Sequence, residues 1–192
     1  MLKEGNCDAA FLTSAFTFVR ELNMTIRLRS IVVISALVAS GCSGPRVVVE
    51  DVNPLYSRAE FFAAADGRDL RTIVLGNPFG VSTFDQVVTG TMTSTPVGPK
   101  TRFTTTPGPS ANRDYSVAVA FNPSPDVLAV DLCNVRSLPT AAAQRPIVVR
   151  AAFCAGGGEA SAVSGYLDQA TGPEDPKFVG LIRDLTLQLF PR

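Results

Sequence analysis

Ile147-Val148-Val149-Arg150-Ala151-Ala152-Phe153-Cys154 is the strongest strand signal in the chain, and Ala155-Gly156-Gly157-Gly158 follows it directly. β-Branched and apolar residues suit a pleated surface, and the glycines let the backbone reverse. Ala160 to Leu167 then reads as the returning strand of a hairpin. Upstream, Tyr115 to Phe121 alternates, with Tyr115, Val117, Val119 and Phe121 on one face. Asn122-Pro123 stops that run. Thr101 to Thr106 is rich in β formers and is turned by Pro107-Gly108-Pro109-Ser110. Val127 to Val130 reads either as a strand or as a short link to Cys133, and residues 134–146 read as loop.

Two helices flank this sheet. Asp175 caps the last one and Pro176 sits in its first turn. Phe178, Ile182, Leu185 and Leu189 form its apolar stripe, widened by Leu181 and Phe190. The other helix follows the tight loop Gly76-Asn77-Pro78-Phe79-Gly80. Ser82 or Thr83 can cap it, and Phe84, Val87, Val88 and Met92 share a face before Pro96-Val97-Gly98-Pro99 ends it. Val47-Val48-Val49 suggests a first strand. Asp66-Gly67 lies between the apolar runs Ala59–Ala65 and Leu70–Leu75, which predicts a hairpin there. A helix competes for the first run, because Ser57 and Glu60 have capping-box spacing. The expected fold is α+β: an antiparallel sheet packed against two helices in a two-layer sandwich, as one domain over residues 47–192.

Ahead of the domain, Met24 to Ser30 carries Arg27 and Arg29 and no acid. An apolar run from Ile31 to Val38 follows, then Ala39-Ser40-Gly41 and Cys42. Basic, apolar, then small is the order of a secretory signal. The apolar part is far shorter than the ~20 residues of a membrane-spanning helix. Ala39-Ser40-Gly41-Cys42 resembles the bacterial lipobox, with Ala39 where Leu is usual. That resemblance implies a signal peptide over 24–41, cleavage before Cys42, lipid on its thiol, and a tether over 42–46. Residues 1–23 contain Glu4, Asp8 and Glu21, unlike the head of a signal, so translation is expected to start at Met24. The competing reading is an ordinary secreted protein with a chance cysteine. Ser43, in place of Asp, leans the family's sorting rule toward the outer membrane, facing the periplasm.

Composition narrows the chemistry. The chain has 17 basic and 17 acidic residues, and the part after Cys42 stays near neutrality, so nothing points to nucleic acid. There is no histidine and no tryptophan. The first absence removes Ser-His-Asp and Cys-His catalysis and every His-ligated metal site. Of four cysteines, Cys7 lies in the leader and Cys42 takes the lipid. Cys133 and Cys154 remain for a disulfide closing a loop of about 20 residues, worth roughly 3 kcal/mol. Their spacing is not the Cys-x-x-Cys of a redox pair.

Candidate sites are few. Gly76, Asn77, Pro78 and Phe79 precede a helix N-terminus, where an anion or ligand can bind; without a longer glycine motif a structural turn is the better reading, yet this loop is the first choice for a functional surface. Arg102 and Arg113 flank the 107–110 turn and can meet acidic groups, or simply stay solvated. Gly156-Gly157-Gly158 lacks the following helix and lysine of a phosphate loop. Lys100 and Lys177 fit no Ser-x-x-Lys pattern, and Glu50-Asp51 and Glu174-Asp175 read as loop or cap residues. No catalytic residue, metal site or cofactor is therefore assigned. The layout, from the lipobox through Thr72–Met92 to the ending Leu189-Phe190-Pro191, resembles small envelope lipoproteins whose α+β domain is similar to the amino-terminal domain of TolB. The resemblance implies an accessory or assembly role and no known active site; the lipobox and the lack of a catalytic constellation together suggest a non-enzymatic domain that binds another envelope protein in envelope assembly or maintenance. The alternative is a carrier holding a small ligand or lipid between sheet and helices.

Overall fold

The computed structural model describes residues 44–54, 56–134 and 145–191. The segments 1–23 and 24–41, the lipid site Cys42 and most of the loop expected over 134–146 lie outside the described residues. The elements are β1 (Arg46–Val52), α1 (Arg58–Ala65), β2 (Asp69–Leu75), α2 (Phe84–Ser94), β3 (Arg102–Thr104), β4 (Tyr115–Phe121), α3 (Ala129–Leu132), β5 (Ile147–Ala155), β6 (Gly158–Leu167) and α4 (Pro176–Leu189). They fall in one compact unit, Gly41–Arg192.

The expected α+β layering is present. One six-stranded sheet has the order β1-β6-β5-β4-β2-β3. The β5–β6 hairpin forms at its middle, pairing Ile147 with Leu167 and Ala155 with Gly158. The sheet is mixed, however, not purely antiparallel: β2 runs parallel to both β3 and β4. The cause lies in the connection. A tight turn can join only antiparallel neighbours, whereas α2 carries the chain back to the starting end before β3 begins.

Among the described residues four helices pack on the sheet, two more than expected. The predicted hairpin at Asp66-Gly67 is replaced by α1. Ser57 accepts a hydrogen bond from the Glu60 amide at 3.0 Å, satisfying an otherwise orphaned donor. Phe61, Ala64 and Ala65 have helical spacing and are buried. Phe61 stacks on Phe190 at 4.0 Å and meets Phe153 edge-on at 5.6 Å. Gly67, at φ 67°, then turns the chain into β2. The Val127–Val130 segment resolves as the link to Cys133, with α3 as its helical turn.

α1, α2 and α4 cover one face of the sheet. Phe61, Phe84, Phe121, Phe153 and Phe178 are fully buried between the layers, each contributing about 1.5–3 kcal/mol of transfer free energy. The α4 stripe is buried as its spacing predicts: Phe178, Leu181, Ile182, Leu185 and Leu189. Gly165 makes room for it, since a Cβ there would lie 2.8 Å from Leu181 Cδ1. Asp175 caps α4, accepting from the Lys177 amide at 2.9 Å.

The opposite face is smaller and partly polar. Ala118, Ala120, Ala152, Val127 and Leu132 pack there around Cys154. Cys133 and Cys154 form the disulfide, with Cα atoms 5.5 Å apart, fastening the end of α3 to β5. On the same face, Arg150 pairs with Glu50 at 3.1 Å, and Ser164 donates to Glu50. These contacts tie the edge strand β1 across β6 to β5.

Candidate functional site: a two-arginine groove

β2 sends alternate residues to the two faces. Leu70 joins the large helix-covered core, while Ile73 packs on the small core opposite. Arg71 therefore projects with Ile73, away from the helices. β4 lies beside β2 in parallel, pairing Arg71 with Ser116. This register brings the loop just before β4, with Arg113 and Asp114, alongside Arg71. The result is a groove of about 680 Å³. The Cys133–Cys154 disulfide, Asn134 and the Gly156-Gly157 turn line its other side. A second hollow of about 520 Å³ shares Arg71 and Arg113 and extends under the 105–112 loop.

The loop is pinned at both ends. Asp69 receives a bidentate pair from Arg102, at 2.9 and 2.8 Å, and the Gly108 amide at 2.8 Å. These donors hold the Asp69 carboxyl below the usual carboxylate range, Arg102 first and Gly108 second. At the other end Asn112 accepts from the Asp114 amide at 3.1 Å, and the Asp114 carbonyl accepts from Gly156 at 2.8 Å. Gly156 and Gly157 have φ of 58° and 82°, where a side chain would be strained. The Tyr115 hydroxyl donates to Glu60 at 2.9 Å, which holds the phenol above its usual range and couples α1 to β4.

The side chains of Arg71 and Arg113 make no ion pair or hydrogen bond with any described residue. Both are exposed. Asp114 is the one carboxylate among the described lining residues. Guanidinium groups, two amides (Asn112, Asn134) and two hydroxyls (Thr105, Ser116) offer donors for a polar, negatively charged group. Among the described residues no cluster of three or more His, Cys, Asp or Glu could hold a metal ion.

The structure separates the predicted site residues. Gly76, Asn77, Pro78 and Phe79 follow the carboxyl end of β2, whereas Arg102 and Arg113 lie at its amino end, about 20 Å away at strand rise. The loop's polar groups are used within it: Asn77 accepts from the Phe79 amide at 3.2 Å and donates to the Val81 carbonyl at 2.8 Å. The Phe79 ring packs edge-on against Phe178 at 5.1 Å. Arg102 is committed to Asp69. Arg113 reaches the groove, and its companion there is Arg71, which sequence reasoning missed. The signal was a charged residue alternating with apolar ones inside Leu70–Leu75.

The fold is thus that of an open mixed-sheet α+β domain, and no family model or curated protein matches the chain. Among solved structures it is similar to PelC from Paraburkholderia phytofirmans. A point variant of that dodecamer in space group C2 is 11% identical, with 77% of this chain and 98% of that one covered and a TM-score of 0.41. The dodecamer in space group P6 is 14% identical, with 77% and 99% covered and a TM-score of 0.40.

Proposed function

We propose that the protein is a lipid-anchored, non-enzymatic binding protein of the cell envelope, held on a membrane through Cys42 and facing the periplasm. The observation that carries this reading is the order of Arg27 and Arg29, the apolar run Ile31–Val38, the small residues and Cys42, ending just before β1. The Cys133–Cys154 disulfide supports export, since such bonds persist in oxidising compartments. Among the described residues no helix is long and apolar enough to cross a membrane, so an anchor in this part of the chain has no helical source. The complete lack of histidine supports binding over catalysis. We assign the binding surface to the groove between Arg71 and Arg113. The carrier reading has less support, because the layer between sheet and helices is filled by aromatic side chains.

Intact mass of protein extracted from its native membrane tests the anchor, beside a Cys42→Ser version. A mass matching residues 42–192 plus acyl chains, lost in the variant, is expected. An unlipidated mass, or one retaining the leader, would overturn it.

A further inference from the structure

We propose that the groove binds an oxyanion, a phosphate or carboxylate, seated between Arg71 and Arg113. The proposal rests on reading the groove as the binding surface, and is independent of the lipid anchor. Two guanidiniums without partners among the described residues line the same hollow, together with one described carboxylate, Asp114. Both guanidiniums border the same two hollows, and an anion seated between them would use their forked donors.

The backbone beneath the two arginines is also held in place. Arg71 stands on a central strand paired on both sides. Arg113 stands on a loop fastened to Asp69 at one end and to Gly156 at the other. The disulfide stiffens the far wall. The backbone carrying these donors loses little freedom when a ligand arrives, which limits the cost of binding to the side chains themselves. The two hollows meet at Arg71 and Arg113. An anionic group at that junction leaves the remainder of its molecule free to run toward Asn134 or beneath Thr105. The described lining mixes amides and hydroxyls with Ile73, the disulfide and two prolines and carries no aromatic ring, so no described residue there stacks on the ligand.

The test is titration of the full chain in neutral detergent with inorganic phosphate, glucuronate, and vesicles with and without phosphatidylglycerol. Amide and guanidinium NMR shifts in the unaltered protein locate any binding without a variant. Saturable shifts centred on Arg71 and Arg113, weakening as salt rises, are expected. Arg71→Ala with Arg113→Ala should reduce affinity at least about tenfold, while Arg183→Ala, on the exposed face of α4, should leave it unchanged. Binding of the soluble anions identifies a soluble source, and binding only of anionic vesicles identifies a lipid headgroup; either supports the site. Absence of binding, shifts elsewhere on the surface, or equal loss in Arg183→Ala overturns it. An unlipidated protein that still binds phosphate would sink the anchor while leaving this site standing.

Discussion

Two single positions control how closely parts of the molecule approach one another. Gly165 lies under α4, and a methyl group there would press on Leu181 and Leu185 in the packed layer. Gly165→Ala should destabilise by about 1–3 kcal/mol through overpacking, read as a lower urea midpoint with an unchanged slope. A neutral result would mean that α4 shifts freely on the sheet. Asp69 controls the 105–112 loop through Arg102 and Gly108. Its carboxyl titrates below the unfolded value in the fold, so its charge contributes stability above the ordinary carboxylate pKa. That contribution is lost as pH falls through the lower, folded value. Asp69→Asn should therefore be less stable than the unaltered protein at neutral pH, and the gap should close below pH about 4. A gap that stays constant into strong acid would mean that shape, not charge, secures the loop.

Among the elements, α3 owes most to a covalent bond. It is one turn long, far below the length at which a helix holds itself together. Its buried Leu132 and the Cys133–Cys154 bond keep it on the sheet. Replacing both cysteines by alanine should cost roughly 3 kcal/mol, with hydrogen-exchange protection lost first in Ala129–Leu132. Uniform loss of protection would instead show that α3 unfolds only with the whole domain. The same scale explains what was readable beforehand. α4 and the β5–β6 hairpin are local: cap, stripe and glycine turn all sit within their own segments, and both form as read. α1 was misread because Asp66-Gly67 is a genuine turn signal. The turn joins a helix to a strand, and Ser57 with the Phe61, Ala64, Ala65 spacing held the deciding information.

Across the whole molecule, the order of strands was not legible, because β4 lies between β2 and β5 through contacts distant in sequence. For the same reason the pairing of Arg71 with Arg113 was hidden. Only the parallel register of β2 and β4 brings the two together. Arg102, equally conspicuous in the sequence, is neutralised by a partner that no local pattern reveals. The edge position of β1 also has a mechanical meaning. A pull on the chain ahead of Arg46 reaches β1 before any other strand. Directed away from β6, such a load opens one rung of the ladder at a time instead of shearing them together. Rungs from Arg46↔Tyr166 to Val49↔Val163 would part first. The Glu50–Arg150 pair, clamping β1 to the second strand inward, stands next in line as a catch. Behind it the five remaining strands stay paired and the large core loses only the cover of Val47, so β1 is the element that yields first to a load applied at the amino end of the domain.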